Sequence, residues 1–239
     1  MFGKKIAVII PAYNEASNIK KLVGEIKNFY PDLSIIVVND GSSDSTAELA
    51  QQAGSIVLSH SYNSGYGVAL QTGYKYALEQ DFEIIVQLDG DGQHNARGIE
   101  TLLNALMNEK CDLVLGSRFL PGSSYQSTLL RGLGTRFFSF CLRWLTGQEI
   151  KDPTTGFQAM TKQVFSLYVQ DIFPADYPDA DVLMLLAKLK YRIKEVPVMV
   201  NPTPAGKSMH SNPLTVIYYI YKMLLSMVVS KSRRTKEYA

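Results

Sequence analysis

Residues 6–10, Ile-Ala-Val-Ile-Ile, are apolar without a break and stop at Pro11. A short β-branched run of this kind reads as a strand buried on both faces, as in a parallel sheet. Polar residues separate it from 17–29, where Ile19, Leu22, Val23 and Ile26 recur at helical spacing and Pro31 follows. Apolar runs at 34–38, 55–58, 83–88 and 112–115 predict further strands. Between them 45–53, closed by Gly54, and 67–80 and 99–108 predict helices. This alternation predicts an α/β fold, a doubly wound, mostly parallel sheet flanked by helices. Ligands of such sheets bind beyond the carboxyl ends of the strands. Asn14-Glu15, Asn39-Asp40 and the acidic turn 89–91 each follow a predicted strand, so three polar clusters are expected on one rim.

After about Ser117 the pattern loosens. Residues 121–126 read as a loop, and 129–145 as a helix whose apolar face is interrupted by Arg131, Arg136 and Arg143. Helices are expected at 164–168 and 182–189, and an edge strand at 193–200 because Pro197 lies within it. Residues 214–229 are apolar except for Thr215, Lys222, Ser226 and several tyrosines, and Lys231, Arg233, Arg234 and Lys236 follow. A spanning helix needs roughly 20 apolar residues, and this stretch falls short. Two readings stand: an amphipathic helix in a membrane interface with a basic trailing segment, or a helix packed on the domain or a partner. The expected organisation is a catalytic domain over 1–210 and a docking segment over 211–239.

Composition narrows the function classes. Of 239 residues 46% are hydrophobic and 19% charged, which supports a core and argues against disorder. A net charge of +2 gives no reason to expect nucleic acid as a partner. Cys111 and Cys141 lack paired spacing, which argues against a disulfide framework or a zinc site. The N-terminal apolar run is too short for a signal peptide, so a cytosolic location is expected.

The candidate chemistry centres on Asp89 and Asp91. Two carboxylates one residue apart at a strand end can share a hard cation, Mg²⁺ or Mn²⁺, and bridge it to phosphate oxygens. Gly90 and Gly92 permit a tight turn, and Gln93 can add an oxygen ligand or bond a diphosphate. His94 reads as a surface or packing residue outside the metal shell. Asp40 can accept hydrogen bonds from a ribose or a base, while Ser42, Ser43 and Asp44 suit capping of the next helix. Tyr13 can stack on a base and Glu15 bond a ribose hydroxyl; Asn14 or Ser17 can instead cap the helix that follows.

The segments PAYNE, VVNDGSSD, NSGYGVALQTGYKYA, QLDGDGQH, GSRF and DPTTGFQAM occur in that order. Together they resemble the inverting family 2 glycosyltransferases of GT-A fold, and within them the dolichol-phosphate-mannose-synthase-like branch. The resemblance covers residue 6 to about residue 207. It implies that Pro11, Tyr13 and Glu15 contact the nucleotide and that Asp40 contacts the nucleoside. It further implies that Asn63 and Gly67 close over the nucleotide, and that Asp89, Asp91 and Gln93 hold metal and diphosphate. Ser117 and Arg118 match a segment near the acceptor. Tyr66 departs from relatives that carry a basic residue there.

For the acceptor, Arg118, Arg131, Arg136 and Lys207 can form a cationic phosphate pocket. A phosphate is already a nucleophile, whereas a sugar hydroxyl needs a base. Asp179 or Asp181, in the acidic stretch 176–181, is the candidate for that base; the same stretch also suits a helix start. The resemblance therefore implies metal-dependent transfer from a UDP- or GDP-sugar to a polyprenyl phosphate at the cytoplasmic membrane face. Asp91 and Arg118 stand among the expected catalytic residues. A hydroxyl of a lipid-linked or cell-surface glycan is the alternative acceptor. A nucleotidyltransferase and an inactive binding subunit rank lower. A small membrane-protein partner or a homo-oligomer remains open.

Overall fold

The computed structural model describes residues 3–123, 129–176 and 178–201 and positions 221, 222, 225, 226 and 229, with backbone alone at 129–133. The elements run β1 (Ile6–Ala12), α1 (Ile19–Phe29), β2 (Ser34–Asn39), α2 (Thr46–Gln52), β3 (Ile56–Ser59), α3 (Tyr66–Glu79) and β4 (Ile84–Gln87). They continue with α4 (Gly98–Asn108), β5 (Leu113–Ser117), α5 (Leu129–Thr146), β6 (Gln158–Thr161), α6 (Lys162–Tyr168), α7 (Ala180–Lys188) and β7 (Ile193–Pro197).

Every residue of β1 is buried, as its unbroken apolar run requires. Successive strand residues turn to opposite faces. Ile6, Val8 and Ile10 meet Ile19, Leu22 and Val23 of α1 and Leu102 and Leu103 of α4 in one core layer. Ala7 and Ile9 join the opposite layer, with side chains of α3, α5, α6 and α7. A helix layer thus covers each face of the sheet.

The seven strands stand in the order β3-β2-β1-β4-β6-β5-β7. The chain winds outward from β1 to β3, then crosses back to place β4 on the other side of β1. The crevice of a doubly wound sheet opens at such a reversal, here between the carboxyl ends of β1 and β4. Pairings β1–β2, β1–β4, β2–β3 and β5–β7 are parallel.

β6 is absent from the pattern read in the sequence. It is antiparallel to both β4 and β5. Its four residues begin and end with polar side chains, so no apolar run marks it. Gln158 is buried by donating its amide to the Thr155 carbonyl at 2.8 Å. Because β6 runs backwards, its first residue lies beside the ends of its neighbours, Gln87 and Leu115. The loop before β6 is therefore delivered to the ligand rim.

β7 is the expected edge strand, but it ends at Pro197 rather than at residue 200. Beyond it Val198 donates to the Ser117 carbonyl, Val200 bridges to His94, and Asn201 donates to the Gln93 carbonyl at 2.7 Å. The segment thus leaves the sheet edge to brace the loop after β4.

The five described C-terminal positions are helical. Lys222 pairs with Asp176 at 3.0 Å, and Ser226 donates to Asp181 on α7. Among the described residues no helix is long and apolar enough to cross a membrane. The expected boundary at residue 210 lies outside the described residues.

Candidate active site

Three rim loops supply the polar groups. Tyr13 and Glu15 follow β1, Asp40 follows β2, and Asp89, Asp91 and Gln93 follow β4. The first two loops are laced together. Ser42 Oγ accepts from Asn14 N, Asn14 Oδ1 accepts from Ser43 N at 2.9 Å, and Thr46 Oγ1 accepts from Glu15 N at 2.8 Å. Asp44 accepts from the Thr46 and Ala16 amides. It is thus structural, as expected, and Asn14 serves the neighbouring loop rather than the next helix. Tyr13 remains 48% exposed, so its ring has a face open for stacking.

Asp40 is buried and fully engaged. Its Oδ1 meets His60 Nδ1 at 2.7 Å and accepts from Ser64 N at 2.9 Å, and its Oδ2 accepts from Gly65 N at 2.9 Å. The carboxylate thereby folds the loop before α3 over the rim. Within that loop Asn63 is exposed. Gly67 lies where a Cβ would meet the Pro174 carbonyl oxygen at 2.1 Å, so the loop leading to α7 rests directly on the start of α3.

The turn after β4 holds two unequal carboxylates. Asp89 Oδ1 accepts from the Tyr66 hydroxyl at 2.7 Å. Tyr66 in turn accepts from Gln87 Nε2 at 3.0 Å, and Gln87 Oε1 accepts from the buried Tyr74 hydroxyl. A hydrogen-bond chain thus runs from the core to Asp89. His94 is buried against Phe157, with its Nε2 3.7 Å from Asp89 Oδ2. That is too long for a hydrogen bond, so the contact is electrostatic when the imidazole is protonated. The Asp89 carboxylate also lies against Gly156, where a Cβ would come within 2.2 Å of Oδ2. Burial pushes the Asp89 carboxyl up, but His94, the Tyr66 hydroxyl and the charge of Arg118 outweigh it and hold it below its usual range.

Asp91 is raised instead, by burial and by the charge of Asp89. Gln93 steadies it twice, through its backbone N–H to Oδ1 at 2.9 Å and its Nε2 to Oδ2 at 2.5 Å. Gln93 therefore presents its amide nitrogen to Asp91. Asp91 and Gln93 also line a groove of about 560 Å³ shared with Asn18, Lys21 and Arg97. Two carboxylates that repel each other fit a divalent cation. Among the described residues no three His, Cys, Asp or Glu side chains gather as a closed cage. A hard cation held by one or two carboxylates completes its shell with substrate phosphates, and this pair suits that arrangement.

Of the expected acceptor residues, Ser117, Arg118 and Arg136 have described side chains. Arg118 is 6% exposed; its Nε and Nη2 each donate to Asp152 at 2.7 Å, and Nη2 also reaches Thr154. Asp152 is fully buried, and Glu195 of β7 holds its backbone N–H at 2.8 Å. Ser117 is fully buried at the end of β5. Arg136 is exposed on the outer face of α5. The side chain of Arg131 and all of Lys207 lie outside the described residues. Asp181 is 1% exposed at the start of α7, and its carboxyl is raised by burial against the lowering bonds from Ser226 and nearby backbone. Asp179, half-buried, adds a weaker charge effect to the Tyr66 phenol, which burial and then Asp89 push up strongly. Sequence reasoning gave no supporting role to Tyr66 or Gln87, and placed Asp152 and Gly156 only within the segment DPTTGFQAM. The only sequence signal was their place in the ordered motifs.

Residues 7–168 match the family model described as "Glycosyl transferase family 2". The chain belongs to glycosyl transferase family 2. As a family 2 enzyme it has relatives named for polyprenyl-phosphate acceptors. A UDP-N-acetylglucosamine–dolichyl-phosphate N-acetylglucosaminyltransferase of Methanococcus voltae is 28% identical over 94% of this chain and 97% of its own. A polyprenol monophosphomannose synthase of Mycolicibacterium smegmatis is 32% identical over 67% of this chain and 63% of its own. The GT-A fold is shared with glucosyl-3-phosphoglycerate synthase of Mycobacterium tuberculosis, solved with Mn²⁺ and UDP-glucose. That structure has a TM-score of 0.70 and 20% identity, covering 96% of this chain and 79% of that one.

Proposed function

We propose that this family 2 glycosyltransferase moves a sugar from a UDP- or GDP-sugar to a polyprenyl phosphate at the cytoplasmic face of a membrane. The observation that carries the acceptor class is the similarity, along nearly the whole chain, to a transferase named for dolichyl phosphate. Asp89 and Asp91 would hold Mg²⁺ or Mn²⁺, with Gln93 fixing Asp91. A cation bound there offsets the charge of the departing diphosphate. Tyr13, Glu15 and the loop carried by Asp40 would seat the nucleoside. Asn63 and Gly67 belong to that closing loop.

An acceptor phosphate oxygen attacks the anomeric carbon opposite the diphosphate. The new carbon–oxygen bond forms as the old one breaks, its electron pair leaves with the diphosphate, and the configuration inverts. The acceptor is already an anion, so no base is required. This suits Asp181, whose carboxyl is buried and bonded to Ser226. Arg118 supports the rim through Asp152, which leaves Arg131, Arg136 and Lys207 as the candidate phosphate cations. A second reading, transfer to a sugar hydroxyl, draws on the acidic stretch 176–181, in which Asp179 stands half-buried before α7.

Radiolabelled UDP- and GDP-sugars, incubated with undecaprenyl phosphate in detergent and Mn²⁺, test the choice. Label should enter the organic phase, require the cation, and disappear in Asp91→Ala with its thermal melt retained. Label on a glycan acceptor but never on the lipid would overturn the first reading.

A further inference from the structure

The groove beside the metal turn belongs to the α1 and α4 layer, away from the loop that Asp40 folds over the rim. Asn18, Lys21, Glu25 and Phe29 line it at three- and four-residue spacing, so they share one face of α1. From Asn18 to Phe29 that face is about 16 Å long. Asn95 and Arg97, just before α4, line the groove from the neighbouring helix, and Asp91 and Asn201 line it from the rim. Its volume of about 560 Å³ falls in the range of about 300–1,000 Å³ usual for small-ligand sites.

Three asparagines here are each half used. Asn18 donates Nδ2 to Glu15 at 2.7 Å, Asn201 donates Nδ2 to the Gly92 carbonyl at 3.3 Å, and Asn95 Oδ1 accepts from the Arg97 amide at 2.9 Å. Each amide is held by that bond while its other end has no protein partner among the described residues. Two acceptors, Oδ1 of Asn18 and Asn201, and one donor, Nδ2 of Asn95, are therefore fixed in advance, which lowers the ordering cost of binding.

The charges of the lining cancel. Lys21 and Arg97 stand against Glu25 and Asp91, and Lys21 meets Glu25 at 3.8 Å. An anion would face two carboxylates and two amide oxygens, and a cation would face Lys21 and Arg97. Hydroxyl groups both donate and accept, so a neutral, hydroxyl-rich molecule matches this mixture. Phe29 is 42% exposed, with the Arg97 guanidinium 4.8 Å from its ring centre, and offers apolar surface to the C–H face of a sugar ring.

We propose that this groove binds a neutral saccharide, with one end at the metal turn and the remainder along α1. The proposal rests on family 2 membership for its purpose and not on the choice of acceptor. Two sources share the chemistry: the sugar carried by the donor, and the sugars of a glycan.

The isotope-labelled full chain with Mg²⁺ is followed by NMR through the side-chain amide signals of Asn18, Asn95 and Asn201. UDP-glucose, UDP-N-acetylglucosamine and GDP-mannose are compared with UDP and GDP. Trisaccharides of glucose, mannose and N-acetylglucosamine are titrated separately, as is inorganic phosphate. The signals should shift with a saccharide and stay in place with UDP, GDP and phosphate. A shift with nucleotide sugars alone identifies the donor sugar as the source, and a shift with a trisaccharide identifies a glycan. Asn95→Asp keeps the bond to the Arg97 amide and exchanges the open donor for an acceptor. Its saccharide affinity should fall about threefold to tenfold, as for the loss of one hydrogen bond. Lys21→Met/Arg97→Met should lose roughly tenfold or more. Both variants should keep the parent melting temperature and affinity for UDP. Signals that move with phosphate and with no saccharide would overturn the proposal in favour of an anion site. Signals unmoved throughout would reduce the groove to a solvated face, and equal saccharide affinity in both variants would place binding elsewhere. Saccharide binding without label transfer to lipid would leave this proposal standing and remove the acceptor assignment.

Discussion

Asp89 takes its orientation from groups that carry no charge at all. Tyr66 fixes Oδ1, Gly156 leaves room for the carboxylate, and Gln87 and Tyr74 hold Tyr66 from behind. Partners that orient a metal-binding carboxylate commonly change affinity or activity about 10–100-fold when lost. Tyr66→Phe should therefore weaken Mn²⁺ binding by a factor in that range, measured by calorimetry in the presence of UDP, while the melting curve stays close to wild type. Equal affinity would reduce Tyr66 to packing. The two aspartates were legible because they close an apolar run that can only be a buried strand. Tyr66 was not, because its partner is 23 residues away and its position in the motif marked only a departure from relatives with a basic residue there. His94 was read as a surface or packing residue; it is buried, and its place beside Asp89 follows from Phe157 and Val200, which no local pattern connects to it.

Among the elements, the parallel part of the sheet was readable almost residue by residue. Strands β1, β2 and β4 are apolar runs rich in β-branched residues, and the helices between the strands keep one apolar face. What local pattern could not supply is what crosses between elements. β6 is too short and too polar at its ends to announce itself. Arg118 looked available for a phosphate because nothing near it in sequence is acidic; its partner Asp152 lies 34 residues on. Removing one member of a buried pair leaves an uncompensated charge, at a cost of about 3–5 kcal/mol. Asp152→Ala should lose stability on that scale in urea unfolding. A loss no larger than that of an exposed pair would mean that water reaches Arg118.

For the molecule as a whole, the acidic stretch 176–181 is a joint. Asp176 holds Lys222 and Asp181 holds Ser226, so the described C-terminal residues are tied to the catalytic domain. The sequence offered this stretch as a base or a helix start, because its partner in the second bond is 45 residues away. Burial raises the Asp181 carboxyl above its ordinary value. A raised carboxyl favours the folded state fully below the unfolded value of about 3.9. That contribution is lost as pH climbs through the folded value. Asp181→Asn does not titrate, so its melting temperature relative to wild type should rise from about pH 4 toward neutrality. Melts across that range check it, and a constant difference would remove Asp181 from the pH response.

The reversed direction of β6 has a consequence for assembly. The strand that aims Gly156 at Asp89 also carries the loop in which Asp152 grips Arg118. A slip of one residue in its pairing would exchange its two faces and press a side chain against Asp89 where only a hydrogen fits. The same slip would pull on the loop that holds Arg118. A chain that closes its sheet wrongly would thus forfeit cohesion and turnover together, so quality control that removes unstable copies would also remove inactive ones.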